Sequence, residues 1–389
     1  MNSGRYILSQ LLNVIHRQTL DRAVKQHGAE SGIHHFGFRQ QLVCMFFAQL
    51  THRESLRDIA TCLNAKPSAL YHLGFRKPVA KSTLADANEH RDWRIWEQVA
   101  AGLIKRARPL YEDEDLGIDL DNAIYALDST TIDLSLSLFP WADFRSSKSG
   151  IKVHTQIELR GPIPVCIHIA NARPHDVLWL DKILFEAGAF YLMDRAYVDF
   201  ARLYMIHLSG AFFVVRAKRN FKFTRQYSLP VDRLSGVRSD HVGKPKSKKA
   251  KGDFPSLLRK IRYYDADSQR EFIFLTNNLQ IPAATAAQLY KMRWRIELFF
   301  RWIKSHLRIK RYFGTSPNAV KTQIWISMIV YLVIAILHKQ LRLPGSLNRT
   351  LQILSVHPFE KIPINTLLSE EDSRTLGVDD CNQLKLWDL

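Results

Sequence analysis

Ala189-Phe-Tyr-Leu-Met-Asp-Arg-Ala-Tyr-Val-Asp-Phe-Ala-Arg-Leu-Tyr-Met-Ile-His-Leu-Ser-Gly-Ala-Phe-Phe-Val-Val215 decides the architecture of the middle of this chain. Residues 189–193 form an apolar run that stops on an acid, Asp194, and Ala211 to Val215 form a second run after Ser209-Gly210. Short apolar runs rich in aromatic and β-branched residues, bounded by turn formers, are strands. Val198 to Leu208 keeps helical spacing between them.

The pattern extends in both directions. Ala123-Ile-Tyr-Ala-Leu-Asp128 is another apolar run ending on an acid. Lys152 to Leu159 alternates, Gly161-Pro162 turns, and Val165-Cys-Ile-His-Ile169 returns, which makes a strand followed by a hairpin. His175 to Glu186 reads as helix. The string of three strands, helix, strand, helix and strand predicts a mixed α/β sheet, with Asp128 and Asp194 near strand ends where sheet sites form. His154, in the strand after Asp128, could stand behind a site there, but a plain strand histidine is the better reading. Residues 217–270 interrupt the pattern. They hold Lys244-Pro-Lys-Ser-Lys-Lys-Ala-Lys251 without a hydrophobic period, beside strand-like Lys260 to Tyr264 and Glu271 to Leu275, and predict a β-rich insertion with a basic loop. Ile281 to about residue 307 then reads as one long helix.

That helix carries Tyr290-Lys-Met-Arg293-Trp-Arg-Ile-Glu297-Leu-Phe-Phe-Arg301-Trp-Ile-Lys304. At about 100° per residue, Tyr290, Arg293, Glu297 and Lys304 fall within roughly 60° of one another, and Arg301 joins them. Met292, Ile296, Phe299 and Ile303 lie behind and can pack. One acid in a basic stripe suits a carboxylate that holds a cation beside a phosphate. The four-residue gaps Arg293/Glu297 and Glu297/Arg301 are also those of ordinary surface ion pairs, worth roughly 0.2–0.5 kcal/mol each.

The net charge of +18 calls for a polyanionic partner. The excess is concentrated: Arg216 to Arg262 holds fifteen Lys/Arg against three Asp, whereas residues 360–389 carry seven acids and three bases. A membrane is the weaker partner, because the start lacks a signal-peptide pattern and the longest apolar run, Ile324 to Leu337, suits a buried core helix. Cys44, Cys62, Cys166 and Cys381 are scattered, without a disulfide framework or zinc spacing, and fit a reducing cytoplasm. His34-His35 reads as a loop pair.

Residues 1 to about 110 read mainly as helix. Thr51-His-Arg-Glu54 resembles a capping box, and Ser55-Leu-Arg-Asp58 is a second helix start. Leu56 to Leu63, a break at Asn64-Ala-Lys66, and Pro67 to Leu73 ended by Gly74 outline a helix-turn-helix, a shape that DNA readers share with many bundles. Trp93 and Trp96 read as core.

Asp128, Asp194 and Glu297 are three carboxylates that the sheet and the helix can bring together. Clustered acids repel unless cations sit between them, and Mg2+ takes oxygen ligands and bridges phosphates. With these residues in view, the chain resembles the DDE transposases of the bacterial insertion sequence 4 type. Tyr290, Arg293, Glu297 and Lys304 meet the helix signature Y-x2-R-x3-E-x6-K; Asp194-Arg-Ala196-Tyr197 meets D-x-[GA]-[YF]; the first aspartate stands in Ala-Leu-Asp128-Ser-Thr; and Leu275-Thr-Asn277 precedes the last helix. Asp194 and Glu297 are 103 residues apart, with the β-rich insertion between them.

The resemblance implies a ribonuclease H-like α/β core. It also implies an all-α N-terminal DNA-binding domain over residues 1–115, a catalytic domain over 116–345 with its insertion at about 217–270, and a helical C-terminal region over 346–389. It implies Asp128, Asp194 and Glu297 as ligands of two Mg2+ (or Mn2+) ions. By resemblance Tyr290, Arg293 and Lys304 would hold phosphates near the cut. Arg301, on the same face, and Lys244, Lys246, Lys248, Lys249 and Lys251, between two site elements, read from charge as further phosphate contacts, with a solvated basic tip as the alternative for the lysines. The expected partner is double-stranded DNA, both element ends and target, bound by a homodimer in a synaptic complex at the bacterial nucleoid. The expected reaction is cut-and-paste transposition through a hairpin. One departure stands out: the insertion has no Trp to stack a flipped base, leaving Phe221, Phe223 or Tyr227. A structure-selective nuclease on the same fold and a catalytically decayed DNA-binding regulator are the competing readings.

Overall fold

Seven α-helices precede the first strand among the described residues: α1 (Ile7–Leu12), α2 (Arg17–His27), α3 (Phe38–Leu50), α4 (Leu56–Asn64), α5 (Pro67–His72), α6 (Lys81–His90) and α7 (Arg94–Ala107). The computed structural model describes residues 4–28, 35–145, 148–218, 221–307, 312–343 and 345–368. His34, Cys381 and most of the acidic tail lie outside them. The expected start of α4 holds, since the Ser55 hydroxyl accepts the Asp58 N–H at 3.1 Å. Thr51 opens no helix. It closes α3, its hydroxyl donating back to the Phe47 carbonyl at 2.7 Å, which spends the group a capping box would need. α4, a short break and α5 form the expected pair, with Pro67 in the first turn of α5 and Gly74 at φ +90° after it. Trp96 is fully buried, whereas Trp93 is half-buried between the Arg94 and Lys321 cations.

The strands follow: β1 (Ile124–Leu134), β2 (Asp143–Arg145), β3 (Lys148–Glu158), β4 (Ile163–Asn171), β5 (Phe190–Met193), β6 (Phe212–Arg216), β7 (Phe223–Ser228), β8 (Val237–Pro245), β9 (Leu258–Asp265) and β10 (Arg270–Thr276). Among them lie α8 (Phe200–Leu208) and α9 (Lys248–Asp253), and after them α10 (Ala283–Met292) and α11 (Trp294–His306). The chain separates into two compact units. Within the described residues, one holds everything up to Glu112, Ile132–Ile151 and everything from Phe300 on; the other holds Asp113–Thr131 and Lys152–Phe299.

In the second unit the strand order is β3-β1-β5-β6-β10-β9-β8-β7, and β4 pairs with β3 off this path. β1, β5 and β6 are parallel neighbours, and from β6 onward every pairing is antiparallel. The expected insertion is therefore an extension of the sheet beyond β6. The parallel strands are apolar on both sides, as strands covered on both faces must be. Tyr125, Leu127, Tyr191, Met193, Phe213 and Val215 join Leu203 and Ile206 of α8, Trp179 and Phe254 in one core. Ala126, Phe190, Leu192 and Val214, the alternate residues, are equally buried on the other face, where α10 lies against β5 and β6.

Three expectations are corrected. His175 to Glu186 is not an α-helix but a short 3-10 segment, Asp176–Lys182, whose Trp179 and Leu180 are drawn into the core. The long helix over 281–307 is two helices. The break is Arg293, where its N–H bonds the Tyr290 carbonyl and Ile296 N–H bonds the Arg293 carbonyl, both three residues back. The basic stretch is not a loop throughout. Lys244 pairs with Thr224 at the end of β8, and Ser247 caps α9 through the Ala250 N–H.

The sheet extension is locked by a buried ion pair. Arg259 donates through Nε and Nη2 to the two Asp240 oxygens at 2.8 and 2.6 Å, and through Nη1 to the Ile281 carbonyl just before α10. The side chains are only 3% and 1% exposed. Removing one partner strands the other charge, so Arg259→Leu is expected to cost about 3–5 kcal/mol. Urea unfolding checks this; an unchanged midpoint would refute it.

Two more helices complete the first unit, α12 (Pro317–Gln340) and α13 (Leu347–Val356). α12 is apolar on every side and is enclosed by α3, α6 and α7. It is the one described helix long and apolar enough to cross a membrane, and 89% of its apolar window is buried in the protein, as befits a core helix. Asn318 donates to the Asn88 and Arg91 carbonyls, and the Tyr111 hydroxyl donates to the Ala335 carbonyl.

Candidate active site

β1 and β5 run parallel in the register Ile124↔Phe190 to Leu127↔Met193. The next residues are Asp128 and Asp194, so the two acids occupy the same level of adjacent strands. β1 itself continues to Leu134, which places Asp128 within the strand rather than at its end. Asp194 keeps extended backbone at φ −81°, ψ 176° and accepts the Ala196 N–H at 2.7 Å. Since Tyr125, Leu127, Tyr191 and Met193 face the α8 core, strand alternation directs both acids to the opposite face, the side of α10.

Glu297 is linked to Asp128 through Arg293. Arg293 Nη1 stands 3.1 Å from Asp128 Oδ2, and Nη2 stands 2.5 Å from Glu297 Oε1. One guanidinium therefore bridges the first acid and the third, 14% exposed against 22% for Asp128 and 31% for Glu297. Tyr290 packs its ring on Phe274 of β10 at 4.7 Å, and the Arg293 guanidinium carbon lies 5.7 Å from the Tyr290 ring centre. Ile296 and Phe299, on the back of α11, are buried as expected and hold the helix in place.

The electrostatics tie the three acids together. Burial pushes the Asp128 carboxyl up to about 6; Arg293 and the Ser129 N–H pull it back, while Asp194 and Glu297 push it further up. Burial also raises the Tyr290 phenol, and the Asp194 charge adds to this. The Tyr197 phenol is held well above its usual range by burial, with Asp128, Asp176 and Asp194 adding to it, so it stays neutral. Among the described residues no three His, Cys, Asp or Glu side chains already form a cation cage. Asp128 and Glu297 instead share Arg293. The donor chemistry nonetheless suits a divalent cation: hard oxygens, excess negative charge, and a resident positive group between two of them. Arg293 Nε, buried and without a partner among the described residues, is a spare donor for an incoming anion.

Arg301 and Lys304 follow Glu297 by four and seven residues on α11, Arg301 exposed and Lys304 half-buried. Lys246, Lys248, Lys249 and Lys251 are exposed on α9 and its approach, and Lys244 is half-buried on β8. Phe221 is stacked on Phe200 and Phe223 lies under Lys260, whereas Tyr227 is 45% exposed on the edge strand β7. His154 is buried against Trp179, and burial lowers its pKa to about 4, so it is a neutral packing residue. Sequence reading passed over Ser129 and Asp176. The Ser129 hydroxyl donates to Asp176 Oδ1 at 2.7 Å, and Lys152 Nζ stands 3.0 Å from the same oxygen. Asp176 offers no signal in sequence beyond sitting in an apparent helix start.

A sequence profile of the transposase DDE domain matches residues 120–333, more than half of the chain, and a profile of a domain of unknown function (DUF4372) matches residues 3–76. A Sinorhizobium fredii protein described as transposase y4zB is 34% identical over 250 residues, covering 63% of this chain and 67% of the relative. A Geobacillus stearothermophilus protein described as the transposase for insertion sequence element IS5377 is 29% identical over 218 residues, 55% of this chain and 56% of the relative. A Synechocystis protein described as the transposase for insertion sequence element IS4SA is 25% identical over 268 residues, 66% and 71% respectively.

Proposed function

This chain belongs to the transposase DDE-domain family, and we propose that it cuts and pastes a mobile DNA element with Asp128, Asp194 and Glu297 as its catalytic acids. The observation that carries this reading is the bridge from Asp128 through Arg293 to Glu297, on the sheet level that Asp128 shares with Asp194.

The three acids are the residues that would hold two Mg2+ (or Mn2+) ions, which when bound supply charge stabilisation for the attacking and leaving oxygens of a phosphodiester displacement. The protein's own groups do the rest. Arg293 leaves the carboxylates and forks onto phosphate oxygens, its buried Nε adding a donor. Tyr290, fixed on Phe274, positions that guanidinium. Lys304 and Arg301 extend the grip along α11, Lys304 as a point charge. Tyr197 keeps a neutral phenol beside Asp128 and Asp194 rather than adding a third negative charge. Water first displaces a 3′-oxygen, leaving a 3′-hydroxyl and a 5′-phosphate. That hydroxyl attacks the opposite strand, expelling the flanking strand's 3′-hydroxyl and closing a hairpin. A second water reopens the hairpin, and the regenerated 3′-hydroxyl joins target DNA by displacing a target 3′-oxygen. Tyr227, the exposed aromatic of the extension, is the stacking face for a displaced base. Two copies act together on the paired terminal inverted repeats.

A strand-transfer assay with candidate terminal repeats and Mg2+ tests the proposal. Joined product is expected; cleavage without joining would point to a nuclease, and neither to a DNA-binding regulator. Replacing Lys244, Lys246, Lys248, Lys249 and Lys251 by Gln is expected to weaken DNA binding and to flatten its salt dependence, by about 0.9 log units per log unit of salt for each phosphate no longer neutralised. Fluorescence anisotropy between low and moderate salt checks it, and an unchanged slope would remove these lysines from the DNA interface.

A further inference from the structure

We propose that Asp176 is a positioning residue for Asp128, acting through Ser129; the inference rests on the catalytic reading of Asp128. The Ser129 N–H donates to Asp128 Oδ1 at 2.8 Å, so the direction of that amide sets the plane of the carboxylate. The pairing of β1 with β5 ends at Leu127↔Met193, two residues before Ser129, so β5 does not fix this amide, and β1 continues with β3 as its neighbour on the other side. The Ser129 side chain adds a further hold. By strand alternation it points to the face opposite Asp128, where its hydroxyl donates to Asp176 Oδ1 at 2.7 Å, a charge-assisted bond.

Asp176 is itself fixed from the other side. Lys152 Nζ stands 3.0 Å from the same Oδ1 and donates to the Pro174 carbonyl at 3.1 Å. The Lys152 side chain is only 11% exposed. A pair buried this far returns little net stability, because desolvation cancels much of its attraction. Its position explains it better: Lys152 and Asp176 form a brace under β1, one residue from an acid whose orientation matters. The 3-10 turn that carries Asp176 is anchored by Trp179 and Leu180 in the core, so the brace has a rigid footing.

The experiment compares the full chain with its Asp176→Ala, Asp176→Asn, Ser129→Ala and doubly substituted Ser129→Ala/Asp176→Ala variants on element-end DNA. Single-turnover cleavage and half-saturating Mn2+ are expected to worsen by about 10–100-fold in Asp176→Ala. DNA affinity is expected to stay at the wild-type value in every variant. Melting temperature is expected to stay there in Ser129→Ala, whereas Asp176→Ala, which leaves Lys152 without its carboxylate, is expected to melt lower. Asp176→Asn keeps an oxygen for the Ser129 hydroxyl and is expected to recover most of the loss. The double variant is expected to be no worse than the poorer single one. Wild-type cleavage in Asp176→Ala, or losses that multiply in the double variant, would overturn the inference. If Asp176→Ala fails to fold, Ser129→Ala decides alone, and a wild-type rate there overturns it. Asp128→Asn run in parallel separates the two levels: inactivity there alongside a normal Asp176→Ala defeats only the brace, whereas full activity in Asp128→Asn defeats the catalytic reading beneath it.

Discussion

Asp128→Asn, Asp194→Asn and Glu297→Gln are each expected to lower DNA cleavage by at least about a thousandfold, about 4 kcal/mol of transition-state stabilisation, while DNA binding persists. The amides keep the shape of the acids and remove the charge that would hold a cation. Asp128→Asn carries a second, opposite expectation. The folded state binds the Asp128 proton more tightly than the unfolded chain does, with a carboxyl pushed up from 3.8 to about 6. Stability therefore falls as pH rises through that window, and the penalty is complete above it. Without divalent cations Asp128→Asn is expected to be more stable than wild type at pH 7.5, by roughly 3 kcal/mol, with the difference vanishing towards pH 4. Melting curves at the two pH values check this. A variant that is inactive and less stable at pH 7.5 would mean that Asp128 serves the fold and not the chemistry.

The second large effect belongs to Arg293. Its guanidinium stands between Asp128 and Glu297, where a divalent cation would have to compete with it. Arg293→Gln is therefore expected to separate two quantities that normally move together. Mn2+ binding to the DNA-free protein is expected to tighten about tenfold, since about 1.4 kcal/mol of competition is removed. Cleavage is expected to fall about 100-fold, because the fork that grips phosphate is lost. Electron paramagnetic resonance titration of Mn2+ and single-turnover cleavage read the two arms. Weaker Mn2+ binding in the variant would show Arg293 to be a prop for the acids rather than their stand-in cation.

Much of the parallel part of the sheet was legible because apolar runs mark its strands, although β1 continues past its run to Leu134 and so holds Asp128 inside it. Ala123 to Asp128 and Ala189 to Asp194 announce both the strands and the two residues at their shared level. The four-residue gap between Arg293 and Glu297 was legible too, and their side chains do meet, although Tyr290 ends up on the preceding helix. What sequence does not carry is where a local geometry yields to tertiary packing. Nothing in Lys291-Met-Arg293-Trp marks a helix break; Arg293 sits at it while reaching two carboxylates, one of them 165 residues away. His175 to Glu186 keeps a helical pattern but becomes a 3-10 segment whose Trp179 and Leu180 are held in the core. Thr51 has the residue type of a helix start and the position of a helix end. Asp176 was invisible because its partners, Ser129 and Lys152, come from two other strands. Asn277 shows the opposite case: its motif was visible, and the structure supplies the reason. Its side chain accepts the Phe213 N–H and donates to the Ala211 carbonyl, pinning the start of β6.

The most direct test is anomalous diffraction from a crystal of the chain bound to an element-end DNA in Mn2+. Peaks ligated by Asp128 together with Asp194 and Glu297, with Arg293 moved onto phosphate, are the predicted result. Arg293 still spanning Asp128 and Glu297 in that complex, with no Mn2+ peak at the three carboxylates, would contradict it.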